Sequence, residues 1–459
     1  MNAAQLLAAA DSLNPFLAQF HPCFPRRENR EWLAVFSRGQ LGDLLRKSLE
    51  PIALEAGLQA RPLQLFFDTH TWDELGVRAR LQSIVAERFG SADGIFLVDE
   101  TSDAKKGEHT AGVGHQYCGE SGKIDNCIVS VHLGYTDGVD HALIDGELFL
   151  PEHWDAAAGA VARKRRLEVG IPADVGHVNK PQMSVLQLKR AKENGVPGMW
   201  VTGDEAYGGN GNWRGGVAEL GLYYVAEVPG KLVGWTSADA GLTPTRSIAD
   251  VAAGMRAGGE RWRVHEGAKG PEIWKVQRRT FYTSSGEGDG AHAGTLLVAQ
   301  HAKTKEVKYF LSNAPAGTRT GRLLRVAFSR WRIERCFQDA KTELGLNHAE
   351  MRNYRGIQRH LILTSVTYLF LVLLQRAGGG NNQGRDDQPT RGRRRGDPRR
   401  EARAQAFPRE TAGNRRKARA ADQGDNQAQP HRGGLGEKAT NPVPAWKEDQ
   451  HSPVETRYL

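Results

Sequence analysis

Two aspartates stand at the ends of short apolar runs. Asp99 closes "GIFLVD" and Asp204 follows "GMWVTG". Further along, Arg330, Glu334 and Lys341 are spaced four and seven apart in "RWRIERCFQDAKTELGL". Carboxylates at strand ends lie where loops leave the core, a recurrent place for active-site groups in α/β sheets. An unpaired buried charge is costly, so each needs a partner. A divalent cation is one such partner, since Mg2+ takes one or two carboxylates together with waters and substrate phosphates. Two aspartates on neighbouring strands and a third acid on a packed helix suit two such ions. That arrangement activates a nucleophile and stabilises the leaving oxygen in phosphoryl transfer. Taken singly, an aspartate at a strand end is more often a turn former or a helix cap. It is the set that points to chemistry.

Helical geometry tests the third acid. At about 100° per residue, Arg330, Glu334 and Lys341 fall in a stripe about 40° wide. Ile333, Phe337, Ala340 and Leu344 fall in an adjacent stripe about 60° wide. The charged stripe therefore borders the packed face, whereas a solvated ion-pair ladder belongs opposite it. Glu100 and Glu205 directly follow the two aspartates. In a strand they face the other side, so neither is expected among the ligands.

Several elements must position these groups. Residues 1–90 space their apolar residues near 3.6 and close helices on Gly, which predicts a helical domain. From Gly94 the pattern turns to β: "GIFLVD", "NCIVSVHLGY" and "HALIDGELFLP", with "TDGVD" as a turn. A helix over "KPQMSVLQLKRAKENG", a strand over "GMWVTGDEAYG", a helix over "NWRGGVAELG" and a strand over "LYYVAEVP" follow. The expected fold is a mixed α/β sheet whose first strands form an antiparallel meander, with parallel strands after it and helices on both faces. Residues 91–229 form its first part, 230–305 a β-rich insertion, and 306–376 a returning strand and one long helix bearing Glu334. "LILTSVTYLFLVLL" (361–374) is shorter than a membrane span and contains Thr364, Ser365 and Thr367, so it reads as a buried helix.

Bulk properties narrow the class. The chain has 459 residues and a net charge of +9. Residues 377–459 hold 17 of the basic and 11 of the acidic residues, leaving 45 and 42 for the rest, so the excess lies largely in the tail. That tail contains only five Leu, Ile, Val, Phe or Met and cannot bury a core. It reads as a disordered basic arm or as the product of a frameshift near residue 376. The four cysteines have neither CxxC nor zinc-site spacing, which suits reduced thiols in the cytosol. The N-terminus lacks the basic region of a signal peptide.

The motifs "FLVDETSDAKKG", "WVTGDEAYG" and "RWRIERCFQDAKTELGLNHAE" together resemble those of DDE transposases of bacterial insertion sequences, which have an RNase H-like catalytic domain. The last is similar to the Tyr-x2-Arg-x3-Glu-x6-Lys signature of one large group. Arg330, Glu334 and Lys341 match it, while the Tyr position falls on Ala327 beside Phe328. The resemblance spans roughly residues 15–376. It implies that Asp99, Asp204 and Glu334 bind two Mg2+ ions, with Mn2+ able to substitute, for DNA cleavage and strand transfer. Arg330 and Lys341 would contact phosphates near the scissile bond, and Trp235 in the β insertion would stack on a flipped base. The helical region would bind transposon-end DNA, and the protein would self-associate on paired ends. It would work in the cytoplasm at the nucleoid, with no membrane role. Lys105 and Lys106 in "DAKKG", and Arg352, Arg355 and Arg359 interleaved with Tyr354 in "MRNYRGIQRH", are further candidates for the DNA backbone. The alternatives are an inactive DNA-binding remnant and a host RNase H-like nuclease.

Overall fold

Side-chain caps begin several of the helices. In the computed structural model, which describes residues 3–237, 246–255, 259–267, 270–284, 291–377 and 390–391, five helices come first. They are α1 (Ala3–Ala18), α2 (Arg27–Leu41), α3 (Leu49–Glu55), α4 (Ala60–Asp68) and α5 (Glu74–Phe89). The Asp73 carboxylate caps α5 by accepting from the Gly76 N–H at 2.8 Å. Next come strands β1 (Ile95–Ala104), β2 (Gly114–Cys118), β3 (Lys123–Thr136) and β4 (His141–Leu148). Helices α6 (Ala160–Glu168) and α7 (Lys180–Glu193) lead to β5 (Trp200–Thr202), the short α8 (Glu205–Gly208), α9 (Gly211–Glu219) and β6 (Tyr223–Glu227). Asn179 caps α7 through the Gln182 N–H at 2.9 Å.

β1 runs antiparallel to β3 from Ile95–Thr136 to Ala104–Cys127. β5 lies parallel to β1 on its other edge, and β6 lies parallel to β5. β2 and β4 both pair antiparallel with β3. This is the expected mixed sheet, with antiparallel strands first, then parallel ones, flanked by helices. β2 was not anticipated, because its five residues carry no clean apolar alternation.

The segment read as an insertion contributes β7 (Val233–Gly234), β8 (Arg246–Ser247), α10 (Ile248–Ala253), β9 (Glu260–Gly267), β10 (Gly270–Thr283) and β11 (His292–His301). The returning strand β12 (Val307–Ser312) pairs antiparallel with β6 on one side and β11 on the other. β9, β10 and β11 therefore prolong the mixed sheet. With the two-residue β13 (Thr390–Arg391) on β9, it reaches eleven strands among the described residues.

The single long helix expected after β12 is broken. α11 (Thr320–Ala327) and α12 (Trp331–Leu344) are joined by a tight turn at Phe328–Arg330. The Phe328 ring packs on Trp274 and Phe310, with centroids 5.2 and 5.5 Å away, and the Ser329 hydroxyl donates to the Arg325 carbonyl at 2.5 Å. Phe328 thus serves the β9–β12 part of the sheet, away from the carboxylates.

α13 (Tyr354–Ala377) carries the apolar run, and most of it is buried within the protein. It packs against α2, α4, α5 and β4. Gln40 of α2 donates to the Thr364 hydroxyl at 2.8 Å and the Leu344 carbonyl at 3.0 Å. The N-terminal helices therefore share a core with the sheet and are not a detached domain. Beneath them the buried Asp145 of β4 pairs with Arg78 of α5 and with Arg190 of α7, the latter at 2.9 Å. The tail from residue 392 lies outside the described residues.

Arg359 belongs to this joint, which corrects its reading as a DNA contact. It is 1% exposed. Its guanidinium donates to Glu74 at 2.8 Å and to the carbonyls of Phe66 and His70 at 2.8 Å, and stacks over Trp72 at 4.4 Å. Arg359→Ala leaves buried acceptors unpaired and is expected to cost roughly 2–4 kcal/mol of stability. A urea melt should show this as a lowered midpoint; an unchanged midpoint would remove Arg359 from the joint.

Candidate active site

Asp99 sits on β1 just past its last pairing with β5 and is largely buried. One carboxylate oxygen accepts from the Glu100 N–H at 2.8 Å and the other from the Arg330 guanidinium at 3.1 Å. Asp204 follows β5 and caps α8, accepting from the N–H groups of Ala206 at 2.9 Å and Tyr207 at 3.4 Å. The turn lies tight against β6: a Cβ on Gly208 would come within 2.0 Å of the Glu227 carbonyl. Glu334, in the first turn of α12, is half exposed and takes the other arm of Arg330 at 2.7 Å. Ile333, Ala340 and Leu344 are fully buried, so the charged stripe does border the core. Lys341, two turns on, donates to the Ser102 carbonyl at 3.2 Å.

Asp99, Glu100, Asp204, Glu334 and Lys341 line one cleft of about 690 Å3. A second cavity of similar size, about 660 Å3, lies near Arg214 and Tyr224, away from these groups. In the cleft, burial pushes the Asp99 carboxyl up to about 7; Arg330 pulls it back and the Asp204 charge adds to the rise. Arg330 is itself partly buried, which alone would lower its pKa. Asp99, Glu334 and Asp204 outweigh that and hold it above its ordinary value.

The remaining candidates scatter. Lys105 is drawn inward, donating to Asp103 at 2.5 Å and to the Ala349 carbonyl at 2.6 Å, so its ammonium is spent within the fold. Lys106, Arg352 and Arg355 are exposed. Arg355 lies 3.8 Å from Glu74. Trp235 is 8% exposed, and its backbone bridges to Tyr282 with N–H to O distances of 2.9 Å both ways. Its indole is core and not a platform for a base, which corrects that expectation. All four cysteines are buried free thiols.

A family model described as "DDE superfamily endonuclease" matches residues 19–279, more than half of the chain. This chain belongs to the DDE superfamily endonucleases. A protein from Microchaete diplosiphon, described as the probable transposase for insertion sequence element IS701, is 29% identical over 208 residues. That alignment takes in 45% of this chain and 50% of the relative, so the chain spans about half the length of the curated relative it matches. A solved piggyBac transposase synaptic complex with hairpin DNA aligns over 78% of this chain and 68% of that one, at 10% identity and a TM-score of 0.38. The family match covers Asp99 and Asp204 and stops before Glu334. For this family member, the place of the third acid therefore rests on the geometry of α12.

The donors suit a hard cation, since the cleft offers carboxylate oxygens in negative excess over Arg330. They are not gathered into a cage: among the described residues, no three His, Cys, Asp or Glu side chains stand ready to hold a metal. Arg330 serves as counter-ion to Asp99 and Glu334. Two further groups escaped sequence reasoning. The Tyr207 hydroxyl donates to Glu100 at 3.1 Å, and Lys180 of α7 donates to the same carboxylate at 2.6 Å. Nothing local in the sequence marks Lys180, which is 80 residues from Glu100.

The Asp99 shift has a signed consequence. Its folded pKa, about 7, lies above the unfolded value near ~3.9. The folded state therefore holds a proton that the unfolded chain releases, and stability falls as pH rises from about 4 to about 7. Asp99→Asn should flatten that fall in thermal melts across this range. Parallel wild-type and variant profiles would show that Asp99 ionises normally.

Proposed function

We propose that this protein is an insertion-sequence transposase that cleaves DNA at the ends of its element and transfers the strand ends to a target. The observation that carries this reading is the convergence of Asp99, Asp204 and Glu334 on one cleft flanked by Arg330 and Lys341. These three acids would hold divalent cations, with Mg2+ the natural choice and Mn2+ a substitute. Bound there, the ions would activate the nucleophile and neutralise charge at the scissile phosphate.

The chain's own groups do the rest. Arg330 presents a planar fork that matches a phosphate, and Lys341 a point charge two turns further along the same helix. Asp99 is desolvated between the sheet and α12, so a competing charge in the cleft is felt strongly. Lys106, Arg352 and Arg355 supply exposed positive charge for the DNA backbone. The partners are transposon-end and target DNA, and pairing of ends calls for self-association of the protein. The working place is the cytoplasm, at the nucleoid.

Cleavage of the element's own ends in Mg2+ tests this. Asp99→Asn, Asp204→Asn and Glu334→Gln should each lower the rate at least about a hundredfold while still shifting end DNA. Equal cleavage by wild type and Glu334→Gln would remove Glu334 from the mechanism. Cleavage of unrelated duplexes at the same rate would instead favour a general nuclease. Alanine at Lys106, Arg352 or Arg355 should weaken binding to all DNA sequences alike and reduce the salt slope by about one each. Unchanged slopes at all three would place the DNA elsewhere.

A further inference from the structure

The two aspartates stand beyond the end of the β1–β5 ladder, where Asp99 still pairs with His132 of β3. Pairing between β1 and β5 runs from Ile95–Trp200 to Leu97–Thr202, ending two residues short of both Asp99 and Asp204. Pairing between β1 and β5 therefore does not by itself set the distance between the carboxylates.

Each carboxylate is held by a neighbouring backbone N–H. Asp99 accepts from Glu100 at 2.8 Å, and Asp204 accepts from Ala206 at 2.9 Å and Tyr207 at 3.4 Å. Glu100 and Tyr207, one donor on each side, are joined through their side chains. The Tyr207 hydroxyl donates to one oxygen of Glu100 at 3.1 Å, and the Lys180 ammonium donates to the other at 2.6 Å.

We infer that Glu100, Tyr207 and Lys180 form a positioning chain that sets the spacing of the Asp99 and Asp204 carboxylates, and with it the affinity of the cleft for a divalent cation; this rests on the metal-dependent reading above. The chain takes over where the β1–β5 ladder ends. Tyr207 is 1% exposed, its ring lies 6.2 Å from that of Trp213, and its Cβ closes on Gly203, where an added Cβ would stand 3.2 Å away. Lys180 is the first residue of α7 and lies over the Phe149 ring at 5.3 Å, which anchors the far end of the chain on a long helix.

Mn2+ titration of the full chain, followed by the electron paramagnetic resonance of unbound Mn2+, reads the affinity without any turnover. Wild type should bind and Asp99→Asn should not. Tyr207→Phe and Glu100→Gln should each weaken binding roughly ten- to a hundredfold, as expected for groups that orient ligands. Because the two act as one unit, the double variant should bind no more weakly than the worse single. Wild-type affinity in Tyr207→Phe, additive losses in the double variant, or abolition by Glu100→Gln equal to that of Asp99→Asn would each overturn the positioning chain alone. Should Tyr207→Phe fail to fold, Glu100→Gln carries the test, since the Glu100 side chain is 27% exposed and tolerates an amide. A wild type that binds no Mn2+ would overturn the metal-dependent reading and this inference with it.

Discussion

Two carboxylates brought together from a strand and a helix need a cation between them. In this protein Arg330 is that cation, with one arm on Asp99 at 3.1 Å and the other on Glu334 at 2.7 Å. The contact joins β1, which lies between β3 and β5, to α12. The tight turn at Phe328–Arg330 contributes to its geometry: Phe328 is drawn onto Trp274 and Phe310, and α12 starts afresh at Trp331. The β-rich segment, which might be taken for an appendage, thereby bears on the site through one aromatic ring.

The alternation of a strand organises the surroundings. Asp99 faces Arg330 and α12, and its neighbour Glu100 faces Lys180 of α7. Two layers of helices are thus tied to β1 through adjacent residues pointing in opposite directions. The same economy appears under the N-terminal helices, where Asp145 of β4 receives both Arg78 and Arg190. Buried ion pairs are weak devices for stability, but losing one partner is severe, so they act as registers between elements. The helical region thus shares one core with α13 and the sheet.

Much of this was legible in the chain. Asp99 and Asp204 could be picked out because apolar runs of strand length end just before them, and burial punishes an acid there unless it has work to do. Glu334 could be picked out because its spacing to Arg330 and Lys341 places the charged stripe beside Ile333 and Leu344. The parallel and antiparallel parts of the sheet followed from helices falling between some strands and a Gly-bearing turn between others. The apolar run at 361–374 read as a core helix because hydroxyls interrupt it, and it is one.

Composition and spacing do not carry the path of a side chain. Lys105 and Lys106 are alike in sequence, yet one ammonium is folded onto Asp103 and Ala349 while the other is exposed. Arg359 and Arg355 share a basic stretch, yet Arg359 is spent on carbonyls of α4 and its following turn. Trp235 reads as an aromatic in a β-rich segment and is buried beside β10. Each outcome depends on partners tens to hundreds of residues away, brought close only when the layers pack. Residue types and local periodicity determined which groups were suited to chemistry and which elements carried them. Tertiary structure alone decided which charges meet, because a charge takes whatever partner desolvation leaves within reach, and that partner is seldom a neighbour in sequence.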